Sequence, residues 1–177
     1  AKNSFFRKRN RNIVAGLRDS SPLRDLFISC NDDKLYEILT NFFAVVNELV
    51  WDKAGSNSVI KKTIGVLALF DLLKNIIKRN NGDISMLTKE TFVNYIVTFS
   101  FVNFSDNYFS TSGLGQGRIK RIIKYLSRMT SYESLKDDDV KFLQNCWNGQ
   151  AILLGFIHKT AYEYGKSFYG VLQGSSN

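Results

Sequence analysis

Val66-Leu67-Ala68-Leu69-Phe70-Asp71-Leu72-Leu73-Lys74-Asn75-Ile76-Ile77-Lys78-Arg79 is the stretch whose reading decides the fold. Val66, Leu69, Phe70, Leu73, Ile76 and Ile77 recur at the 3.6-residue helical period and form one stripe, with Asp71, Lys74, Asn75 and Lys78 opposite. The spacing predicts a helix over about Val59 to Arg79. Ile60, Ile64 and Leu67 fall on another side, so the first half is expected to be the more completely buried. Lys78 and Arg79 suit a helix C-terminus, and Asn80-Asn81-Gly82 is a stop signal.

Working upstream, Asn31, Asp32 and Asp33 supply a cap and favourable negative charge for a helix from about Lys34 to Trp51. Its apolar residues, among them Leu35, Ile38, Phe42, Phe43, Val46 and Val50, cover most of the circumference, which predicts a nearly buried helix. Asp52 to Asn57 reads as a loop, and Ser21-Pro22 as a helix start. Downstream, Ser85 or Thr88 opens a segment through about Phe101. Its β-branched and aromatic content leaves helix against strand open, and its length and Glu90 tip it toward helix. Phe104 to Gln116 reads as a Ser- and Gly-rich loop. A basic helix is expected from Arg118 to Met129 and a long last helix from about Asp138 to Tyr164, with Phe142, Leu143 and Cys146 on its apolar stripe. The fold class is therefore mostly α. One multi-helix domain over 31–169 follows a basic arm with short helices over 1–30, and 170–177 is a frayed tail.

Composition agrees. The chain has 177 residues, 44% of them hydrophobic, with one proline, Pro22, so helices can run long. The apolar runs fall far short of the roughly 20 residues of a membrane span. The early cations are not followed by a long apolar segment, so no secretory signal is expected. Two cysteines, Cys30 and Cys146, fit a reducing compartment, and the cytoplasm is the expected location. Beginning at Ala1, the chain reads as a processed product or a piece of a longer protein.

The formal net charge is +8 and is concentrated in two places. Residues 1–25 carry seven cations, including Arg7, Lys8, Arg9 and Arg11, against Asp19 and Asp25. From Asn107 to Tyr132 there is no acid, while Arg118, Lys120, Arg121, Lys124 and Arg128 are all basic. Such patches suit a polyanion, because Lys and Arg displace counterions from phosphates. They also suit two solvated faces that serve solubility alone. A membrane surface is the weaker match, since neither patch has a Trp beside it.

The chemistry concentrates at Ser112-Gly113-Leu114-Gly115-Gln116-Gly117-Arg118. Gly113, Gly115 and Gly117 allow close backbone approach to an anion, and the unpaired N–H groups of a helix start would face it. Ile119, Ile122, Ile123 and Leu126 share one helical face, with Arg121, Lys124 and Arg128 opposite, so the helix could pack by one side and track phosphates with the other. The alternative is a glycine-rich turn before an ordinary amphipathic helix. The motif is neither a P-loop nor the dinucleotide fingerprint.

Little else suggests catalysis. His158 is the only histidine, with no nucleophile elbow near it. Asp137-Asp138-Asp139 fits a helix start better than a metal site. No metal and no cofactor is expected. Phe99, Phe101, Phe104, Tyr108 and Phe109 could stack bases, but core packing is the better reading.

Asn41-Phe42-Phe43-Ala44-Val45-Val46 running on to Trp51, Lys62-Thr63-Ile64-Gly65-Val66-Leu67-Ala68-Leu69-Phe70, and Ser112-Gly113-Leu114-Gly115 with its helix form a set. Together they resemble the helical C-terminal part of bacterial DGQHR-domain proteins, a family that includes DndB-like regulators of DNA phosphorothioation and relatives in defence islands. The resemblance covers roughly residues 10–125. The Asp-Gly-Gln-His-Arg signature itself is absent and would lie upstream of Ala1, so activity of that N-terminal part is not expected here. The resemblance implies a non-catalytic, DNA-associated module of a bacterial DNA-modification or defence system. It would hold phosphates with the glycine stretch, the basic helix and the basic arm, with DNA preferred over RNA and a protein partner conceivable. The alternative function is a helical protein–protein interaction or assembly module.

Overall fold

The computed structural model describes residues 21–109 and 113–148. Six α-helices are present among them: α1 (Arg24–Ile28), α2 (Asp32–Val46), α3 (Thr63–Arg79), α4 (Lys89–Ile96), α5 (Gly113–Leu126) and α6 (Asp137–Asn148). The described residues contain no strand, so the fold is mostly α as expected. The chain divides into two compact units, Ala1–Leu135 and Lys136–Asn177, where the sequence suggests one domain through residue 169. The basic arm, the second half of the last expected helix with His158, and the tail lie outside the described residues.

α2 starts where the Asn31 side chain accepts a hydrogen bond from the Lys34 N–H at 3.3 Å, with Asp32 and Asp33 in the first turn. It buries Ile38, Phe42, Val45 and Val46 but leaves Tyr36 74% exposed. The helix is thus amphipathic rather than nearly buried, because Asp33, Tyr36, Glu37 and Thr40 give it a wet side. It does not run on as α-helix to Trp51. A π-helical turn over Asn47–Trp51 takes over, closed by a bond from the Asp52 N–H to the Asn47 carbonyl at 2.8 Å.

α3 is central. It buries Gly65, Ala68, Leu69, Leu72, Leu73, Ile76 and Ile77, so the buried stripe is rotated from the one the sequence suggests. Leu72 joins the core, while Phe70 is 43% and Leu67 47% exposed. The rotation has a local cause. The 3-10 turn Val59–Lys61 lies directly against Gly65, where a Cβ would come within 2.4 Å of the Ile60 Cα and 2.5 Å of the Val59 and Ile60 carbonyl oxygens. The small residues Gly65 and Ala68 therefore face inward and carry Leu72 with them.

The segment from Thr88 to Phe101, open between helix and strand on sequence, is helical. Thr88 Oγ1 accepts from the Thr91 N–H at 3.3 Å to start α4, and a 3-10 turn over Val97–Phe99 follows. Phe92 packs edge-on to Phe42 with ring centroids 5.3 Å apart. Phe99, Phe104 and Phe109 are buried in the same unit, as core packing requires.

Three helices end alike. α1, α3 and α5 each close with a 6→1 and a 5→2 backbone bond around a left-handed residue: Cys30 (φ 59), Asn81 (φ 55) and Arg128 (φ 58). Only α3 adds a glycine there, Gly82 (φ 75).

Candidate nucleic-acid interface

The glycine stretch is not a loop. Gly113, Gly115 and Gly117 form the opening turns of α5, five residues ahead of the helix start expected at Arg118. Gly115 is buried, and a Cβ on Gly117 would lie 3.3 Å from Arg121 Nη1. The glycines thus stand within the first turns of the helix rather than in a loop ahead of it. The isoleucine face is as expected: Ile119, Ile122 and Ile123 are all buried and Leu126 is half-buried.

The basic residues of α5 divide by what holds them. Arg118 sits in the second turn, where Nη1 donates to the Tyr108 carbonyl at 2.9 Å and the guanidinium lies 4.6 Å from the Tyr108 ring centroid. It latches the turn Asn107–Phe109 to α5. Lys124 pairs with Asp71 of α3 at 2.7 Å, both side chains about three-quarters covered. Lys120 and Arg121 are half-buried, and Arg128 is exposed at the left-handed end of the helix. Arg7, Lys8, Arg9 and Arg11 lie outside the described residues.

α3 supplies cations that periodicity marks only as a polar face and a helix end. Its C-terminal turn meets that of α5: Arg79 Nη1 donates to the Arg128 carbonyl and lies 3.9 Å from Met129 Sδ. Lys74, Lys78 and Arg79 are exposed. Asp71, the one acid of α3, is taken by Lys124, and among the described residues no acid lies within ion-pair distance of Lys74, Lys78, Arg79 or Arg128. The signal is legible in Lys78-Arg79, but its place next to α5 comes from the packing of the two helices, in which Arg79 meets Arg128 and Asp71 meets Lys124. Ser127 Oγ, buried, donates to the Tyr95 carbonyl at 3.1 Å and ties the same end of α5 to α4.

On the other flank of α3 an open cleft of about 220 Å³ is lined by Asn47, Trp51, Asp52, Lys61 and Val66. Nothing in the sequence hints at it beyond the lone Trp at a helix end. Among the described residues no three His, Cys, Asp or Glu side chains converge on one point, and no helix is long and apolar enough to cross a membrane. In the second unit Asp139 is fully buried and accepts the Lys136 N–H at 2.8 Å, a helix-start role for the acidic run. No family model matches the chain, and neither a curated protein nor a solved structure matches it.

Proposed function

We propose that the chain is a non-catalytic DNA-binding module whose contact surface is the joint between the C-terminal ends of α3 and α5. The observation that carries this reading is the Arg79–Arg128 contact, which gathers Lys74, Lys78, Arg79 and Arg128 at one exposed place. Lys and Arg at such a surface neutralise phosphates and position a protein without reading sequence. Lys120 and Arg121 extend the positive surface along α5, Lys124 is held in its pair with Asp71, and Arg118 positions the helix. The setting, a bacterial DNA-modification or defence system, follows from the family resemblance of residues 10–125. The basic arm with Arg7, Lys8, Arg9 and Arg11 would add a second phosphate contact region.

The test is an electrophoretic shift with duplex DNA at several salt concentrations, comparing the parent with a Lys78→Ala, Arg128→Gly double variant. Binding should weaken about equally for all sequences, and the log–log salt dependence should become shallower by up to about 0.9 for each phosphate no longer neutralised. The fold should be retained, since Lys78 is exposed and glycine suits the left-handed position of Arg128. Unchanged binding and an unchanged slope would overturn the reading. Exposed Met86, Val93 and Val97, gathered around α4, favour a helical interaction module as the second reading.

A further inference from the structure

The cleft beside α3 has walls of a specific kind. Trp51 is fixed twice: its Nε1 donates to the Ile60 carbonyl at 3.2 Å, and its ring stacks on Phe43 with centroids 5.7 Å apart and planes 22° apart. Phe43 does not line the cleft, so the indole offers it surface other than the Phe43-covered face. Phe43 is itself braced edge-on by Phe70 at 5.3 Å. The result is a preorganised aromatic wall.

The polar side is equally constrained. Asn47 Nδ2 donates to both Asp52 carboxylate oxygens at 3.1 Å, so the amide's donor is occupied while its oxygen and the carboxylate remain as acceptors. No cation lies within ion-pair distance of Asp52 among the described residues. Lys61 Nζ donates to the Ala54 carbonyl at 2.7 Å, which holds the ammonium in place with further N–H donors to give. The cleft therefore presents a flat apolar wall, a group of acceptors and one cationic donor. The turn that places Asn47, Trp51 and Asp52 is the π-helical one, a geometry frequent at functional sites.

We propose that this cleft binds a single guanine base. Its volume, about 220 Å³, is below the roughly 300–1,000 Å³ of sites for larger ligands. Guanine alone among the common bases carries two adjacent donors, N1–H and the N2 amino group, followed by the acceptor O6. Its two donors suit the Asn47 and Asp52 acceptors and its acceptor suits the Lys61 ammonium, with the ring against Trp51. Adenine and cytosine bring one donor beside an acceptor, and thymine a donor between two acceptors, so each would set an acceptor against the carboxylate. The base can come from a free nucleoside or from an unpaired position in a strand. The inference stands apart from duplex binding: Val66 and Asp71 lie about 140° apart round α3, so cleft and basic joint occupy different flanks.

Calorimetric titration of the full chain with guanosine, adenosine, and short single strands containing one unpaired guanine or adenine tests it. The guanine ligand should bind at least about tenfold more tightly than its adenine counterpart, a typical discrimination for a well-matched base edge. Preference seen with guanosine identifies a nucleoside site; preference seen only with the strands identifies an exposed base in a strand. Asp52→Asn should remove the preference without lowering the melting temperature, since Asp52 is exposed. Trp51→Phe should weaken binding and keep the preference. The Lys78→Ala, Arg128→Gly variant should keep the guanosine preference, which separates this site from the DNA surface. Equal binding of guanine and adenine ligands in both arms, or a preference that survives Asp52→Asn, would overturn the proposal.

Discussion

A methyl group at Gly65 would meet backbone rather than a movable side chain, since the nearest atoms are the Ile60 Cα and the carbonyl oxygens of Val59 and Ile60. Alanine is the better helix former by roughly 1 kcal/mol, so helix propensity alone predicts a stabilising change. Here the clash wins: Gly65→Ala should destabilise the protein by about 1–3 kcal/mol, read as a lower urea midpoint. Arg128 is the opposite case. A non-glycine residue in the left-handed region costs roughly 1–2 kcal/mol, and glycine recovers part of it. Arg128→Gly should therefore raise stability by up to about 1 kcal/mol in the same assay while weakening DNA binding. A fall in both would show that its side chain holds the fold.

At the scale of elements, the start of α4 shows how a cap writes itself into pH dependence. The Glu90 carboxyl is held below the usual carboxylate range, first by its own backbone N–H and then by the Thr88 hydroxyl. Asp83, ahead of the turn Ile84–Met86, is lowered likewise by the Ser85 hydroxyl and N–H. A carboxyl more acidic in the folded state than in the unfolded chain adds stability above its unfolded pKa, and that stability is lost as pH falls through the folded one. Glu90→Gln and Asp83→Asn should each flatten the acid limb of a stability–pH curve and leave the slope near neutrality unchanged. Thr88→Ala should cost about 1 kcal/mol by removing the acceptor for the Thr91 N–H. Such local chemistry explains what was legible in the sequence: the Asn31 and Thr88 caps, the Asn80-Asn81-Gly82 stop and the isoleucine face of α5 all depend on neighbours in the chain. The phase of α3 depends on a turn packed against Gly65, and the helical state of the glycine stretch on the surroundings of α5. Those contacts are tertiary, and periodicity does not contain them. For the candidate interface, the α5 cations were readable, whereas their joining with Lys78 and Arg79, and the capture of Arg118 by Tyr108, were not.

For the whole molecule, the net charge of +8 matters less than where opposite charges cancel. The Asp71–Lys124 pair removes one unit from the basic joint, with both side chains about three-quarters covered. Asp71→Asn should therefore act with opposite signs on two readouts. Stability should fall by about 1 kcal/mol, since a partly covered ion pair is worth little more than an exposed one. DNA affinity should rise and its salt dependence steepen, as Lys124 becomes available to phosphates. Equal movement of both in one direction would detach the pair from the binding surface. The π-helical turn Asn47–Trp51 has a consequence for how the chain tolerates changes of length. Because that turn holds one residue more than an α-helical turn, it amounts to a single insertion absorbed in place. Deleting the exposed Glu48 would let α2 continue as a regular α-helix through four residues in place of five, and everything after it would keep nearly its present direction round the axis. Trp51 would stay within reach of Phe43 and the Ile60 carbonyl, so a one-residue deletion at this solvent-facing position should be tolerated where the same deletion elsewhere in α2 would turn its buried face away from the core.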